Sequence, residues 1–132
     1  MGTTTIQYRN LPGTAAAVGR SGVHCLIADR PDGKAGGMGL GFNGGELLAL
    51  ALGGCFCNDV QYVADEMGLT VAELQVTVDV DFAGQPTLAT GARMTALCTL
   101  ADGSDPTRLL EQARARCTIA NSLRAGVPVS ID

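Results

Sequence analysis

The chain has 132 residues, 46% hydrophobic and 17% charged, with thirteen acidic side chains against nine basic ones. That is one domain's worth of polypeptide and too apolar to be disordered. A net charge of −4 and a pI near 4.8 exclude the basic footprint of a nucleic-acid binder. The apolar content sits in small residues, with 18 glycines and no tryptophan. So few charges predict that part of the surface is covered by a second copy, a homo-oligomer. The apolar run Leu47 to Val60 is too short and too glycine-rich for a membrane span. The opening MGTTTIQYRN has no basic stretch followed by an apolar one, so no export signal is expected and the location expected is cytoplasmic. Ile6 at the sixth position also departs from a myristoylation pattern.

Thr3 to Tyr8 alternates like a strand, and Leu11-Pro12-Gly13 reads as a turn. Thr14 to Val18 and Val23 to Ala28 predict two further strands joined at Gly19-Arg20-Ser21-Gly22, an antiparallel meander. Asp29 to Asn43 carries five glycines and a proline, which predicts a flexible flap; its glycines fit no dinucleotide or phosphate-loop pattern. Gly44 to Met67 is the longest periodic segment, with Gly68 placed to end a helix. Its first half, ELLALALGGCFC, is apolar nearly all round and predicts burial on every side.

Glu73 to Phe82 alternates strictly and Ala92 to Leu100 follows as a second strand. Asp105-Pro106 reads as a cap and first helical position, opening a second helix that runs to about Asn121. Val127 to Ile131 is read as a closing strand. No repeat or domain boundary is visible, so residues 1–132 are expected to form a single domain. The order βββ-α-ββ-α-β predicts an α+β fold, antiparallel sheets around helices.

Five cysteines (Cys25, Cys55, Cys57, Cys98, Cys117), an odd number in a chain expected to be cytoplasmic, do not predict a disulfide scaffold. Zinc is not expected, because there is no C-x-x-C and Cys55 and Cys57 lie about 200° apart on a helix. His24, next to Cys25 in an alternating strand, reads as a surface or packed strand residue, and Asp79 and Asp81 as a solvated sheet face. Thiol redox chemistry remains. Cys55 follows two glycines and Cys117 lies on the apolar face of the second helix, so packing of the two helices can bring them together. Space-filling by buried thiols competes with that reading.

The run Asn43-Gly-Gly-Glu-Leu-Leu-Ala-Leu-Ala-Leu-Gly-Gly-Cys55-Phe56 resembles the central-helix signature of the OsmC/Ohr family of thiol peroxidases. Cys117-Thr-Ile-Ala-Asn121-Ser-Leu-Arg-Ala-Gly126-Val-Pro128-Val resembles that family's second hallmark, and the likeness runs from about Gly19 onward. The resemblance implies an intertwined homodimer with sheets wrapped around long central helices. It implies that Cys55 attacks an organic hydroperoxide and that Cys117 resolves the sulfenic acid as a disulfide. An external dithiol would reset the pair, without a cofactor or metal. Arg20 resembles the family's arginine turn and would supply the cation that activates Cys55.

Two positions depart from the pattern. The activating glutamate is expected ten residues before Cys55, where this chain has Gly45; Glu46 is rotated by about 100°. Thr118 follows Cys117 in place of proline. The departures give a second reading, an OsmC-like binding or housekeeping domain with little peroxidase activity. A hotdog-type acyl-thioester protein, with Glu46 as its acid, is a third. Cys57 and Cys98 are expected to be core thiols.

Overall fold

The computed structural model describes residues 2–132. Its elements are β1 (Gln7–Asn10), β2 (Ala17–Ser21), β3 (His24–Ala28), α1 (Gly44–Glu66), β4 (Val71–Ala83), β5 (Leu88–Leu100), α2 (Thr107–Arg116) and α3 (Thr118–Ala125). The architecture is α+β with two antiparallel sheets, β1-β2-β3 and β4-β5. The chain divides into two compact units, Met1–Leu47 and Leu48–Asp132.

In the first unit the antiparallel meander forms, but Gly19, Arg20 and Ser21, expected in the turn, belong to β2, and the turn is at Gly22 (φ 59) and Val23. The first strand starts later than alternation alone predicts, at Gln7, because pairing with β2 begins at Gln7↔Arg20. The ring of Tyr8 lies where a Cβ on Gly19 would stand, which is why glycine is required opposite it.

The glycine-rich stretch after β3 is pinned rather than loose. Asp29 is buried, and its carboxylate accepts hydrogen bonds from the Met38 and Leu40 amides at 3.0 Å each and from the Arg30 amide at 2.8 Å. Those amides, Leu40 foremost, hold its carboxyl below the ordinary range. Gly41 passes so close to the Ile27 carbonyl that no side chain fits there.

The second unit is built on α1. Leu52, Phe56, Val60 and Val63 recur at helical spacing and enter one core with Leu100, Leu109, Leu110, Ala113 and Cys117. The inward residues of β4 and β5, among them Val76, Val78, Met94 and Ala96, pack onto it. At Gly53 the sheet comes within 3.0 Å of the position a Cβ would take, through Val78. After α1 ends at Glu66, Gly68 takes φ 68 and the Leu69 amide reaches back to the Ala64 carbonyl at 2.8 Å.

Three further expectations are corrected. First, α1 is not buried all round: Leu50 and Tyr62 are exposed, with Ala51, Gly54 and Asn58 along the same side. At 23 residues it is also long and apolar enough to cross a membrane, although its opposite side forms the core. Second, the later helix is two helices. Cys117 takes an extended conformation, φ −60 and ψ 104, ending α2 and starting α3. Third, Val127 to Ile131 forms no strand and is exposed.

Candidate functional site

Every side chain of the candidate site comes from the second unit. Cys55 stands on α1 and Asp59 one turn later on the same side, a spacing of four residues that faces both the same way. The Cys55 thiol donates to Asp59 Oδ2 at 3.7 Å. Cys117 enters from the α2–α3 junction. The two sulfurs and an Asp59 oxygen all lie within 4.8 Å of one another.

The break at Cys117 is what aims its side chain. An uninterrupted helix would place residue 117 on the turn following Ala113, whereas the extended residue lets α3 begin afresh at Thr118. Proline is favoured at such a first helical position, but its missing N–H is not needed there, so threonine preserves the geometry. The Asn121 amide donates to the Cys117 carbonyl at 2.9 Å and the Asn121 side chain to the Ala115 carbonyl at 3.1 Å, fastening both sides of the junction.

The two thiols differ in environment. Cys117 is 1% exposed, whereas Cys55 is half-buried. Burial, above all, pushes the Cys117 thiol above its ordinary value, with neighbouring Cys55 and Asp59 acting in the same direction. The Ala120 amide pulls the other way without making a full capping hydrogen bond. A cavity of about 650 Å³ is lined by Cys117, with Leu52, Phe56, Val80 and Met94 among its apolar walls. Cys55 is not among its lining residues.

The remaining expected residues fall elsewhere. Arg20 belongs to the first unit, exposed on β2, where it is paired across the strands with Gln7 and Cys25. His24 and Cys25 are both exposed, so neither is a packing residue of this chain. Cys98 packs against the core and burial raises its thiol; Cys57 is half-buried. Glu46 is committed to the start of α1. Its Oε1 accepts the Asn43 amide at 3.0 Å while Asn43 Oδ1 accepts the Glu46 amide at 2.8 Å, a reciprocal capping box. Asp59 escaped the sequence reading, although its spacing of four from Cys55 carried the signal.

The family model described as OsmC-like protein matches residues 36–132. Among solved structures, an OsmC-like protein of unknown function from Vibrio cholerae superposes with a TM-score of 0.78 at 13% identity, covering 92% of this chain and 94% of that one. An OsmC-like protein from Mycoplasma pneumoniae gives 0.76 at 18% identity, covering 96% and 89%. An organic hydroperoxide resistance protein from Elizabethkingia anophelis gives 0.69 at 19% identity, covering 96% and 91%. At such identities the likeness establishes a shared fold. No curated protein sequence matches the chain.

Proposed function

Because the chain belongs to the OsmC-like family, we propose that it is a thiol peroxidase that reduces organic hydroperoxides through Cys55 and Cys117. The observation that carries this reading is the meeting of two free thiols from separate segments, within 4.8 Å and beside a carboxylate. A disulfide of about 2.05 Å requires the two sulfurs to close from that separation. The same fold in a solved organic hydroperoxide resistance protein supports it, and the apolar walls of the cavity that Cys117 lines suit an organic group.

Cys55 is the nucleophile, being the accessible thiol of the pair, while burial keeps Cys117 protonated. Asp59 takes the Cys55 proton through their hydrogen bond. The thiolate then attacks the terminal peroxide oxygen. The O–O bond breaks, the alkoxide leaves as an alcohol after protonation, and Cys55 becomes a sulfenic acid. Cys117 sulfur displaces the hydroxyl, releasing water and forming the disulfide. An external dithiol returns both sulfurs to thiols and is itself oxidised.

The whole chain acts as one OsmC-like domain in a homodimer. Support comes from the exposed side of α1, where Leu50 and Tyr62 flank small residues that admit close approach of another helix. Arg20 is the activating cation of this assembly. Five free cysteines fit a reducing, cytoplasmic setting. Glu46 supplies no acid for thioester chemistry, since the capping box occupies it.

The test is to treat reduced protein with one equivalent of cumene hydroperoxide and map thiols by mass spectrometry. A Cys55–Cys117 disulfide, absent in Cys55→Ser, is expected. If Cys55 stays reduced over minutes, the peroxidase reading fails and the binding-domain reading takes its place.

A further inference from the structure

Cys55, Asp59 and Cys117 form a donor set as well as a redox pair. Their ligand atoms lie within 4.8 Å of one another, and the Cys55–Asp59 separation is 3.7 Å. Around a tetrahedral zinc ion with Zn–S bonds of about 2.3 Å, neighbouring sulfurs stand about 3.8 Å apart. The three donors therefore need to close by at most about 1 Å to share one ion. The sequence argument against zinc concerned Cys55 and Cys57, which face different ways on α1; the break at Cys117 supplies a different second sulfur. Two soft thiolates and one carboxylate, sheltered by the core, match a borderline-soft divalent cation and not a hard one such as magnesium.

We propose that the reduced protein binds one soft divalent cation of the zinc type through Cys55, Asp59 and Cys117, and that this binding and the Cys55–Cys117 disulfide exclude each other. Binding releases two thiol protons and changes no oxidation state. It occupies the lone pairs that attack the peroxide. Conversely, a hydroperoxide that oxidises the pair takes two electrons from the two sulfurs. With two protons it becomes alcohol and water, and the cation is set free. The metal claim stands on the three donors alone; the exclusion by oxidation rests on the peroxidase reading.

The test uses the full chain, reduced and freed of metal, titrated anaerobically with cobalt(II) as probe and then displaced with zinc. One equivalent should give the visible bands of tetrahedral cobalt together with a sulfur-to-metal absorption. Cys55→Ser and Cys117→Ala should each remove about half of that sulfur absorption. Asp59→Asn, which leaves no cavity, should weaken cobalt binding roughly tenfold or more. Cys98→Ser should change nothing, and protein carrying the Cys55–Cys117 disulfide should bind no cobalt there.

A six-coordinate spectrum, or unchanged sulfur absorption in Cys55→Ser, overturns the proposal. So does wild-type affinity in Asp59→Asn. Circular dichroism of Cys117→Ala shows whether that variant is folded, and Asp59→Asn decides the matter if it is not. Cobalt binding is read without peroxide and peroxide oxidation is read with chelator present, so either claim fails visibly without the other.

Discussion

The Cys55 thiol donates to the Asp59 carboxylate one turn further along α1, at 3.7 Å. A carboxylate in that position accepts a proton, but it also faces the negative charge that the proton leaves behind.

If Asp59 is the proton acceptor, Asp59→Asn should slow Cys55 oxidation at neutral pH about a hundredfold or more. Stopped-flow consumption of cumene hydroperoxide, with circular dichroism to confirm folding, makes the comparison. A rate within twofold of the parent would remove Asp59 from the chemistry.

The thiol of Cys117 is raised by burial, and so is that of Cys98. A raised folded-state value means that the folded chain holds its protons longer than the unfolded chain. The stability from these two protonated thiols is therefore complete below the ordinary thiol value of 9.0 and is lost as pH rises through the folded values. The urea midpoint should fall above about pH 9, and Cys117→Ala should flatten that fall. Alkylation of Cys117 should lag that of Cys55 at pH 8 for the same reason.

At the start of α1, Asn43 and Glu46 satisfy each other's amides. Asn43→Ala should cost about 1 kcal/mol in urea unfolding. Glu46→Ala should cost a similar or smaller amount and leave the rate of Cys55 oxidation within twofold. A large loss of rate in Glu46→Ala would return Glu46 to the site.

Asp29 ties the glycine-rich loop together through the Met38 and Leu40 amides. Asp29→Ala strands these donors, at about 1–3 kcal/mol for each that stays buried, and should open residues 30–42 to limited proteolysis. The carboxyl is held below its ordinary value of 3.8, so its contribution is present above that pH and disappears as pH falls through the folded value. Protease sensitivity of this loop should rise at acid pH in the parent and be high at every pH in Asp29→Ala.

The elements that alternation and helical spacing describe were legible in the chain. Strands β4 and β5 and helix α1 needed only the repeat of their apolar residues, because each has one side packed on the core. Asp29 was harder to foresee. A lone aspartate before a run of glycines announces a turn, and only the folded loop shows two distant amides converging on it. The break at Cys117 was also hidden, since Leu109, Ala113, Cys117 and Ala120 keep helical spacing across it.

By itself the sequence determined the family and the order of elements as far as β5, because residue type and local spacing are written along the chain. Tertiary structure alone decided which thiol is sheltered, that Asp59 joins the pair and that Glu46 does not. It decided too that α1 leaves one side uncovered. These depend on burial and on distances between groups such as Cys55 and Cys117, 62 residues apart in sequence (117 − 55), and packing sets those distances after every local preference has been met.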